Sequence, residues 1–163
     1  MRRSIKSKEY YPIRKPPRRP TERGLLPELI GYHLRRAQIA VFADFAASLG
    51  TYDITPGQFG VLVLIEANRG LNQSELGAAM GVDRSTVVAV IDRLEDRKLV
   101  SRKPAPGDRR SYALELTIAG QDLLDRLKPL VRVHESRLAA GIDGEDQARL
   151  IELLKRVAAN LQP

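Results

Sequence analysis

Two short helical segments joined by a tight turn are the sequence feature that most constrains this fold. The first segment begins at Asn72, with Glu75 three residues later in a capping-box pattern, and it ends at Gly81. The second begins at Asp83, and its apolar residues recur at helical spacing, at Val87, Val90, Ile91 and Leu94. A helix, a three-residue turn that contains glycine and a second helix form the helix-turn-helix pattern.

The start of the second helical segment is polar. Arg84, Ser85 and Thr86 occupy the end that enters the major groove of DNA in helix-turn-helix proteins. Their side chains can hydrogen-bond to phosphates and to base edges. A purely structural role is the alternative, because an Asp followed three residues later by Thr also caps a helix.

A strand–turn–strand pattern follows the second helical segment. Residues 99–103 predict a short strand, and residues 111–116 alternate as a second strand with one buried face. The residues predicted to be buried are Tyr112, Leu114 and Leu116. Between the strands, residues 104–110 form a turn-rich tip with Arg109 and Arg110. A hairpin in this position is a wing whose arginines could enter a narrow minor groove; an ordinary solvated turn is the alternative.

The apolar pattern upstream of this region predicts two further helices. The first runs from about Leu25 to Gly50, and the second begins at Thr55 with Pro56 at its first position and Gln58 completing a capping box. The second helix is expected to end near Ala67. The apolar stripe of the first helix consists of Leu26, Ile30, Leu34, Ala37, Val41, Phe45 and Leu49.

Two helices are also predicted downstream of the hairpin. One starts after Thr117 and runs to Gly141 with a kink at Pro129, and the last begins at Asp143. The residues predicted to be buried on the last helix are Leu150, Leu153, Leu154, Val157 and Leu161. The chain is therefore predicted to be mainly α-helical with a small β-hairpin.

Positive charge is concentrated in two places. Residues 84–110 carry eight Lys or Arg against four Asp or Glu. Residues 1–23 carry nine Lys or Arg against two Glu, which accounts for the whole net charge of +7. This leader also contains four of the ten prolines, so we expect residues 1–24 to form an extended arm. The arm is either a solvated tail or a segment that lies along nucleic-acid phosphates or in a minor groove.

Composition argues against several classes of protein. No segment approaches the roughly 18 apolar residues of a membrane span, and no apolar segment follows the basic N-terminus, so we expect a cytoplasmic protein without a membrane partner. The absence of cysteine excludes disulfides, thiolate metal sites and cysteine nucleophiles. Two histidines, without a glycine-rich phosphate loop, give no support for an enzyme, a cofactor or a metal site.

The order of these elements, together with several sequence strings, resembles the MarR family of dimeric winged helix-turn-helix regulators. The strings are Thr55-Pro56-Gly57-Gln58-Phe59, Asn72-Gln73-Ser74-Glu75-Leu76, Val82-Asp83-Arg84-Ser85-Thr86-Val87, Ile91-Asp92-Arg93-Leu94-Glu95 and the wing string that spans residues 108–117. The resemblance covers about residues 25–161 and excludes the basic arm. The ordered combination with the wing makes it more specific than a helix-turn-helix alone.

The resemblance implies that different segments of the chain have different functions. Residues 25–50 and 118–163 would form a helical dimerisation region, and residues 51–117 the winged helix-turn-helix domain that binds DNA. A homodimer would place two recognition helices in successive major grooves of a pseudo-palindromic operator in double-stranded DNA. The implied DNA-binding residues are Ser74, Arg84, Ser85, Thr86, Arg93, Asp108, Arg109 and Arg110, with Asp108 positioning an arginine of the wing.

The resemblance also implies an effector. Regulators of this family commonly repress transcription and release DNA when a small anionic aromatic compound binds beside the dimer region. Residues 26–38 look like the branch that controls aromatic-acid catabolism, so the expected effector is an aromatic carboxylate or its coenzyme A thioester, such as a hydroxycinnamoyl-CoA. Plain phenolic acids and antibiotics are the competing ligand class. The alternative to ligand binding is that His33 and Arg36, both on the first helix, have structural roles only. The candidate ligand-binding residues are Tyr32, His33, Arg36, Phe59 and Leu62.

An architectural DNA-binding protein that does not respond to a ligand is the competing function. Sequence preference separates the two, because a regulator should prefer its operator over random DNA by about 10³-fold or more. RNA or an anionic membrane is a poorer target for the arm, which lacks interleaved aromatic residues and amphipathic periodicity.

Overall fold

The computed structural model describes residues 21–105 and 108–161, and it describes side chains for residues 21–104 and 112–161. This part of the chain folds into six α-helices and one two-stranded antiparallel sheet. The helices are α1 (Ile30–Leu49), α2 (Pro56–Ala67), α3 (Gln73–Met80), α4 (Arg84–Asp96), α5 (Ile118–Leu138) and α6 (Gly144–Ala159). The strands are β1 (Val100–Ala105) and β2 (Asp108–Leu116). The predicted winged helix fold is confirmed. In the described ranges, no helix is long and apolar enough to cross a membrane.

Side-chain caps set the starts of most helices, as the sequence predicts. Thr55 Oγ1 accepts a hydrogen bond from Gln58 N, and Gln58 Oε1 accepts one from Thr55 N at 3.0 Å. Asn72 and Glu75 form the same reciprocal pair at the start of α3. Each cap of this kind stabilises its helix by about 1 kcal/mol. The other capping residues are Asp83, Thr117 and Asp143.

One hydrophobic core joins the end of α1 to the winged part of the chain (α2 to β2) and to α5. It contains Phe45, Leu49, Leu62, Ile65, Leu76, Val87, Ile91, Leu94, Leu114, Leu124 and Leu127, all of them buried. The start of α5 is held tightly against the end of α4, because a Cβ at Gly120 would lie 2.0 Å from the Leu99 carbonyl oxygen. Thr117 Oγ1 donates to the Lys98 carbonyl at 2.6 Å in the same contact. The winged part is therefore fixed on α5.

The first helix begins later than predicted. It starts at Ile30 rather than near Leu25, because Pro27 lies in a separate 3₁₀ turn and the residue before α1 is extended. Of its predicted apolar stripe, only Phe45 and Leu49 are buried. The N-terminal half of α1 is exposed or half-buried in the single chain.

The hairpin has longer strands and a shorter tip than predicted. Val100 pairs with Leu116, and the ladder continues past a register shift at Pro104 to a last pair between Ala105 and Asp108. Arg109 and Arg110 therefore belong, with Asp108, to strand β2 and not to a seven-residue turn. The prediction of a long turn was wrong because it treated two prolines and a glycine as excluding strand pairing.

The buried face of β2 also differs from the predicted one. Leu114 is buried as predicted, but Tyr112 is 51% exposed and Ala113 is buried. At this point a third segment joins the hairpin: Leu114 N donates to the Leu71 carbonyl at 2.8 Å, and Ala113 forms a β-bridge with Asn72. Simple alternation fails here because the segment between α2 and α3 covers this part of the strand.

The last helix does not bury the residues predicted to face a core. Leu150, Leu153 and Leu154 are 44%, 44% and 42% exposed. None of residues 144–159, all of which the structure describes, is buried. The single chain leaves these residues uncovered, because no other element of the described chain packs on this face, so their burial stays a prediction for the dimer. The predicted boundaries of the arm, the dimerisation region and the winged domain stay predictions, and residues 1–20 of the arm lie outside the described residues.

Candidate nucleic-acid interface

The turn between α3 and α4 holds the two helices at a fixed geometry. Gly81 has φ of 64°, a left-handed conformation that favours glycine, and Val82 N donates to the Gly77 carbonyl at 3.1 Å. A Cβ at Gly77 would lie 3.2 Å from Val87 Cγ2 on α4, so the helices approach closely at this point. The start of α4 is consequently set by the backbone of α3.

Asp83 organises the polar start of α4. Its carboxylate accepts hydrogen bonds from Ser85 Oγ at 2.5 Å, Thr86 N at 2.9 Å and Thr86 Oγ1 at 2.8 Å. The hydrogen bond from Ser85, followed by those from Thr86, holds the pKa of the Asp83 carboxyl well below its ordinary value. Because both hydroxyl protons point to Asp83, the Ser85 and Thr86 oxygens are left to accept hydrogen bonds from outside the helix.

The two faces of α4 differ sharply in composition. One face, with Val87, Ile91 and Leu94, is buried in the core. The opposite face is exposed and carries Arg93, and Arg84 is exposed at the start of the helix. Among the described side chains, neither arginine has an ion-pair partner. This face therefore offers the Arg93 guanidinium group and two hydroxyl acceptors, and Arg84 adds a second guanidinium group at the start of the helix. The set suits phosphates and base edges.

For the other predicted DNA-binding residues the structure describes fewer side-chain contacts. Ser74 is exposed in the first turn of α3, and its backbone N–H donates to Asn72 Oδ1 at 2.9 Å. Asp108, Arg109 and Arg110 lie at the start of β2, next to the tip of the wing. Their side chains lie outside the described residues, so their contacts stay predictions.

An ion-pair cluster between the wing and α4 was missed by the sequence analysis. Arg102 on β1 donates to Asp92 Oδ1 at 2.5 Å and to Glu95 Oε2, both on α4. With the Gln73 amide oriented to satisfy its neighbours, Gln73 Oε1 accepts from Nε and Nη2 of Arg102 at 3.0 Å. The spacing of Asp92 and Glu95, three residues apart on one helix face, was the only signal available in the sequence.

A second missed contact lies at the far end of α4. Arg97 donates through Nη2 to the Tyr52 carbonyl at 2.9 Å and through Nη1 to the Asp53 carbonyl. Asp53 has φ of 52°, and its carbonyl belongs to the segment between α1 and α2. The C-terminal end of α4 is thus bonded to the segment that follows α1.

Three of the predicted ligand-binding residues form one cluster on the first turns of α1. His33 Nε2 donates to the Pro27 carbonyl at 2.8 Å, which orients the ring. The Tyr32 and His33 rings meet edge to face at 5.3 Å, and the Arg36 guanidinium lies 5.6 Å from the centre of the Tyr32 ring. We call Tyr32, His33 and Arg36 the cationic cluster; it is mostly exposed, and the Arg36–Tyr32 contact is a cation–π interaction.

The other two predicted ligand-binding residues are not beside this cluster in the single chain. Phe59 on α2 is half-buried, and its ring lies 6.3 Å from that of Phe45 near the end of α1. Tyr32 lies thirteen residues before Phe45, which is about 20 Å along a helix. Leu62 is completely buried in the core, so in this conformation it packs and offers no surface to a ligand.

A buried histidine links α1 to α5, and its polar role was missed by the sequence analysis. His134 is only 1% exposed, and its Nδ1 lies 2.6 Å from Asp44 Oδ2. Arg137 also donates to Asp44 Oδ2, at 2.8 Å. The hydrogen bonds from Arg137 and then from His134 hold the pKa of the Asp44 carboxyl below its ordinary value. The cluster ties the two long helices together beside the core.

The chain has clear relatives among proteins of known function. The family model for the MarR family matches residues 52–111. The chain is 42% identical over 129 residues to a transcriptional regulatory protein for the hcr operon of Thauera aromatica, and the match covers 78% of each protein.

Solved structures of regulators have the same fold. The transcriptional repressor CouR bound to a 23-mer DNA duplex matches with a TM-score of 0.80 and 41% identity, covering 86% of this chain and 99% of CouR. CouR bound to p-coumaroyl-CoA matches with a TM-score of 0.78 and 39% identity, covering 85% and 98% of the two chains. The chain is therefore similar in sequence and structure to regulators that bind DNA and an aromatic thioester.

Proposed function

Because this chain belongs to the MarR family of transcriptional regulators, we propose that it is a homodimeric repressor whose binding to an operator is relieved by an aromatic acyl-coenzyme A thioester. The exposed face of α4 carries the DNA-binding part of this proposal. Arg93 is exposed there, and Arg84 is exposed at the start of the helix, which Asp83 holds in a defined conformation. The likeness to DNA-bound CouR supports the same role.

The dimer part of the proposal rests on apolar surface that one chain leaves uncovered. The exposed apolar residues near α1 are Leu25, Leu26, Leu29 and Ile30, and those near and on α6 are Ile142, Leu150, Ile151, Leu153, Leu154 and Leu161. Exposed apolar side chains in such number mark an interaction surface. In a symmetric dimer the two α4 helices would face half-sites one helical turn apart, which demands a pseudo-palindromic operator.

The effector part of the proposal rests on the cationic cluster. Arg36 can pair with a carboxylate or with phosphates, and Tyr32, held against the His33 ring, offers an aromatic surface. Within one chain, Phe45, whose ring lies 6.3 Å from that of Phe59, is about 20 Å along α1 from Tyr32. A ligand with an anionic nucleotide end and an aromatic end suits this separation better than a small aromatic acid. The complex of CouR with p-coumaroyl-CoA supports the same ligand class.

Fluorescence anisotropy tests the proposal directly. The purified protein is titrated against labelled DNA from upstream of its own gene and against a scrambled duplex of the same length. Hydroxycinnamic and benzoic acids and their coenzyme A thioesters are then added to the complex. We expect a preference for the upstream DNA of about 10³-fold or more, and release by a thioester at lower concentration than by the free acid.

Two variants sharpen the effector assay. Arg36→Gln should raise the concentration of thioester needed for release without changing operator affinity, because the cationic cluster lies on α1 and not on α4. Arg35→Gln is the matched control, since it removes the same charge from the neighbouring position. An operator complex that no compound releases would contradict the effector proposal and leave the DNA-binding proposal standing. Equal affinity for both duplexes would favour an architectural DNA-binding protein.

A further inference from the structure

One guanidinium group joins three elements of the winged domain. Arg102 on β1 donates to Asp92 and Glu95 on α4, and Gln73 on α3 can accept two more of its hydrogen bonds. The Arg102 side chain is 24% exposed, so it is much less solvated than an ordinary surface arginine. An arginine suits this place because its planar fork presents five donors in fixed directions.

The position of Arg102 makes this cluster relevant to the wing. Arg102 pairs with Leu114 in the ladder between β1 and β2, and the tip of the hairpin begins three residues beyond it, about 10 Å along the strand. A bond between Arg102 and α4 therefore sets where the wing begins relative to the recognition helix. Specific binding needs both elements in their grooves at once.

The cluster also has an electrostatic consequence. Asp92 comes directly before Arg93 in α4, and Glu95 follows Arg93 two residues later; Arg93 is exposed and is proposed to meet DNA. Without a cation beside them, two carboxylates at this point would repel the phosphates. Arg102 supplies that cation from the hairpin. Because Arg102 is bonded to both carboxylates, its charge stays beside them when α4 approaches DNA.

We propose that Arg102 is a positioning residue for operator binding, acting through Asp92 and Glu95 to hold the wing on the recognition helix and to neutralise its acidic side chains. The proposal rests on the DNA-binding function proposed above. It does not give Arg102 a contact with DNA. Its effect should therefore disappear when the two acidic partners are removed, and it should not change the number of phosphate contacts.

A double-mutant cycle tests this assignment by operator anisotropy. Arg102→Gln should weaken operator binding about tenfold, the coupling expected for charged residues in one network. It should weaken binding to random DNA much less. The cycle includes the double variant Asp92→Asn with Glu95→Gln, and the triple variant that adds Arg102→Gln to it should bind no more weakly than this double variant. The slope of log affinity against log salt should be the same for Arg102→Gln and the wild type.

Lys103→Gln is the matched control. Lys103 is the next residue on β1, and its ion pair at 2.6 Å is with Glu115 inside the hairpin, so its loss removes the same charge without touching α4. Arg102→Lys keeps the charge but not the fork, and it should bind the operator between the wild type and Arg102→Gln. The melting temperature of Arg102→Gln shows whether that variant folds. If it does not fold, Arg102→Lys still tests the proposal.

The outcomes separate the two proposals. A wild-type protein without operator preference would overturn the DNA-binding function itself. A wild type that prefers its operator, together with an Arg102→Gln variant no weaker than Lys103→Gln, would overturn the role of Arg102. A salt slope smaller by about one in Arg102→Gln would show a direct phosphate contact instead of positioning. Losses that simply multiply in the triple variant would show that Arg102 does not act through the acidic pair.

Discussion

The winged domain and the last helix differ in how much apolar surface a single chain covers. Among the described residues of 56–116, most large apolar side chains pack against one another, and Leu62, Leu76, Ile91 and Leu94 are completely buried. In α6, Leu150 and Leu154 remain more than 40% exposed, although they recur at the same helical spacing. Hydrophobic periodicity shows which face of a helix must be covered, but it does not show whether the same chain or a second copy covers it.

This difference predicts two kinds of stability. The winged domain should depend on its own core whatever the protein concentration. The pairing of α1 and α6 should depend on a second copy, and therefore on concentration. The following predictions are arranged from the largest expected effect to the smallest.

The largest effect is expected from charges on the exposed face of α6. Leu150→Glu combined with Leu154→Glu should dissociate the dimer, because two carboxylates would be buried in the interface. Light scattering should then give about the monomer mass of 18.2 kDa in place of twice that mass. Operator affinity should fall by about 100-fold or more, since the second half-site no longer adds its contacts.

Ala148→Glu is the control for this prediction. Ala148 lies on the opposite, polar face of α6, and it receives the same charge. It should leave both the mass and the operator affinity unchanged. A monomeric Ala148→Glu variant, or a dimeric double variant, would show that this face of α6 is not the interface.

A core truncation in the winged domain should have the next largest effect. Leu94→Ala removes a completely buried side chain from α4 and should lower the free energy of unfolding by roughly 2–5 kcal/mol. The variant should remain a dimer below its melting temperature. Calorimetry at two protein concentrations measures the melting temperature and its dependence on dimerisation. A Leu94→Ala variant that is monomeric but as stable as the wild type would contradict the separate roles of the winged-domain core and the dimer interface.

The cap of the recognition helix should have a smaller, pH-dependent effect. Asp83→Ala should lower the melting temperature and weaken operator binding, because the hydrogen bonds to Ser85 and Thr86 are lost. The pKa of Asp83 is depressed below its ordinary 3.8, so the ionised cap stabilises the fold above that pH and loses this contribution as the pH falls. The difference in melting temperature between wild type and Asp83→Ala should therefore narrow below about pH 4. A difference that is constant from pH 7 to pH 3 would contradict this assignment.

The smallest effect is expected from a surface ion pair on α6. Lys155 lies 3.4 Å from Glu152, and both side chains are about two-thirds exposed. Lys155→Gln should change neither melting temperature nor dimer mass measurably, because exposed pairs contribute little. A clear loss of dimer would mean that the interface extends onto the polar face of the helix.

The sequence predicted those parts of the fold that depend on neighbouring residues. The capping residues Thr55, Asn72, Asp83 and Thr117 mark the helix starts because each bond spans only two or three residues. The left-handed turn at Gly81 is predictable for the same reason. The order of the elements followed from these local signals.

The parts that were missed depend on residues far apart in the chain. Arg97 bonds to carbonyls more than forty residues earlier, and no local pattern indicates this contact. Ala113 is buried because the segment before α3 joins the hairpin there. Arg102 was counted only as one basic charge among eight, whereas its partners are on a different element. Of the ligand site, the sequence could indicate residue types and that Leu62 faces inward on its helix, but not that Leu62 would leave no surface for a ligand.

The central claim is that two copies of this chain bind one operator through two exposed α4 helices. The most direct measurement compares affinity for a duplex with both half-sites against a duplex with one half-site scrambled, at several salt concentrations. We predict that scrambling one half-site weakens binding by about 100-fold or more and lowers the salt slope. Equal affinities and equal slopes for the two duplexes would contradict the account.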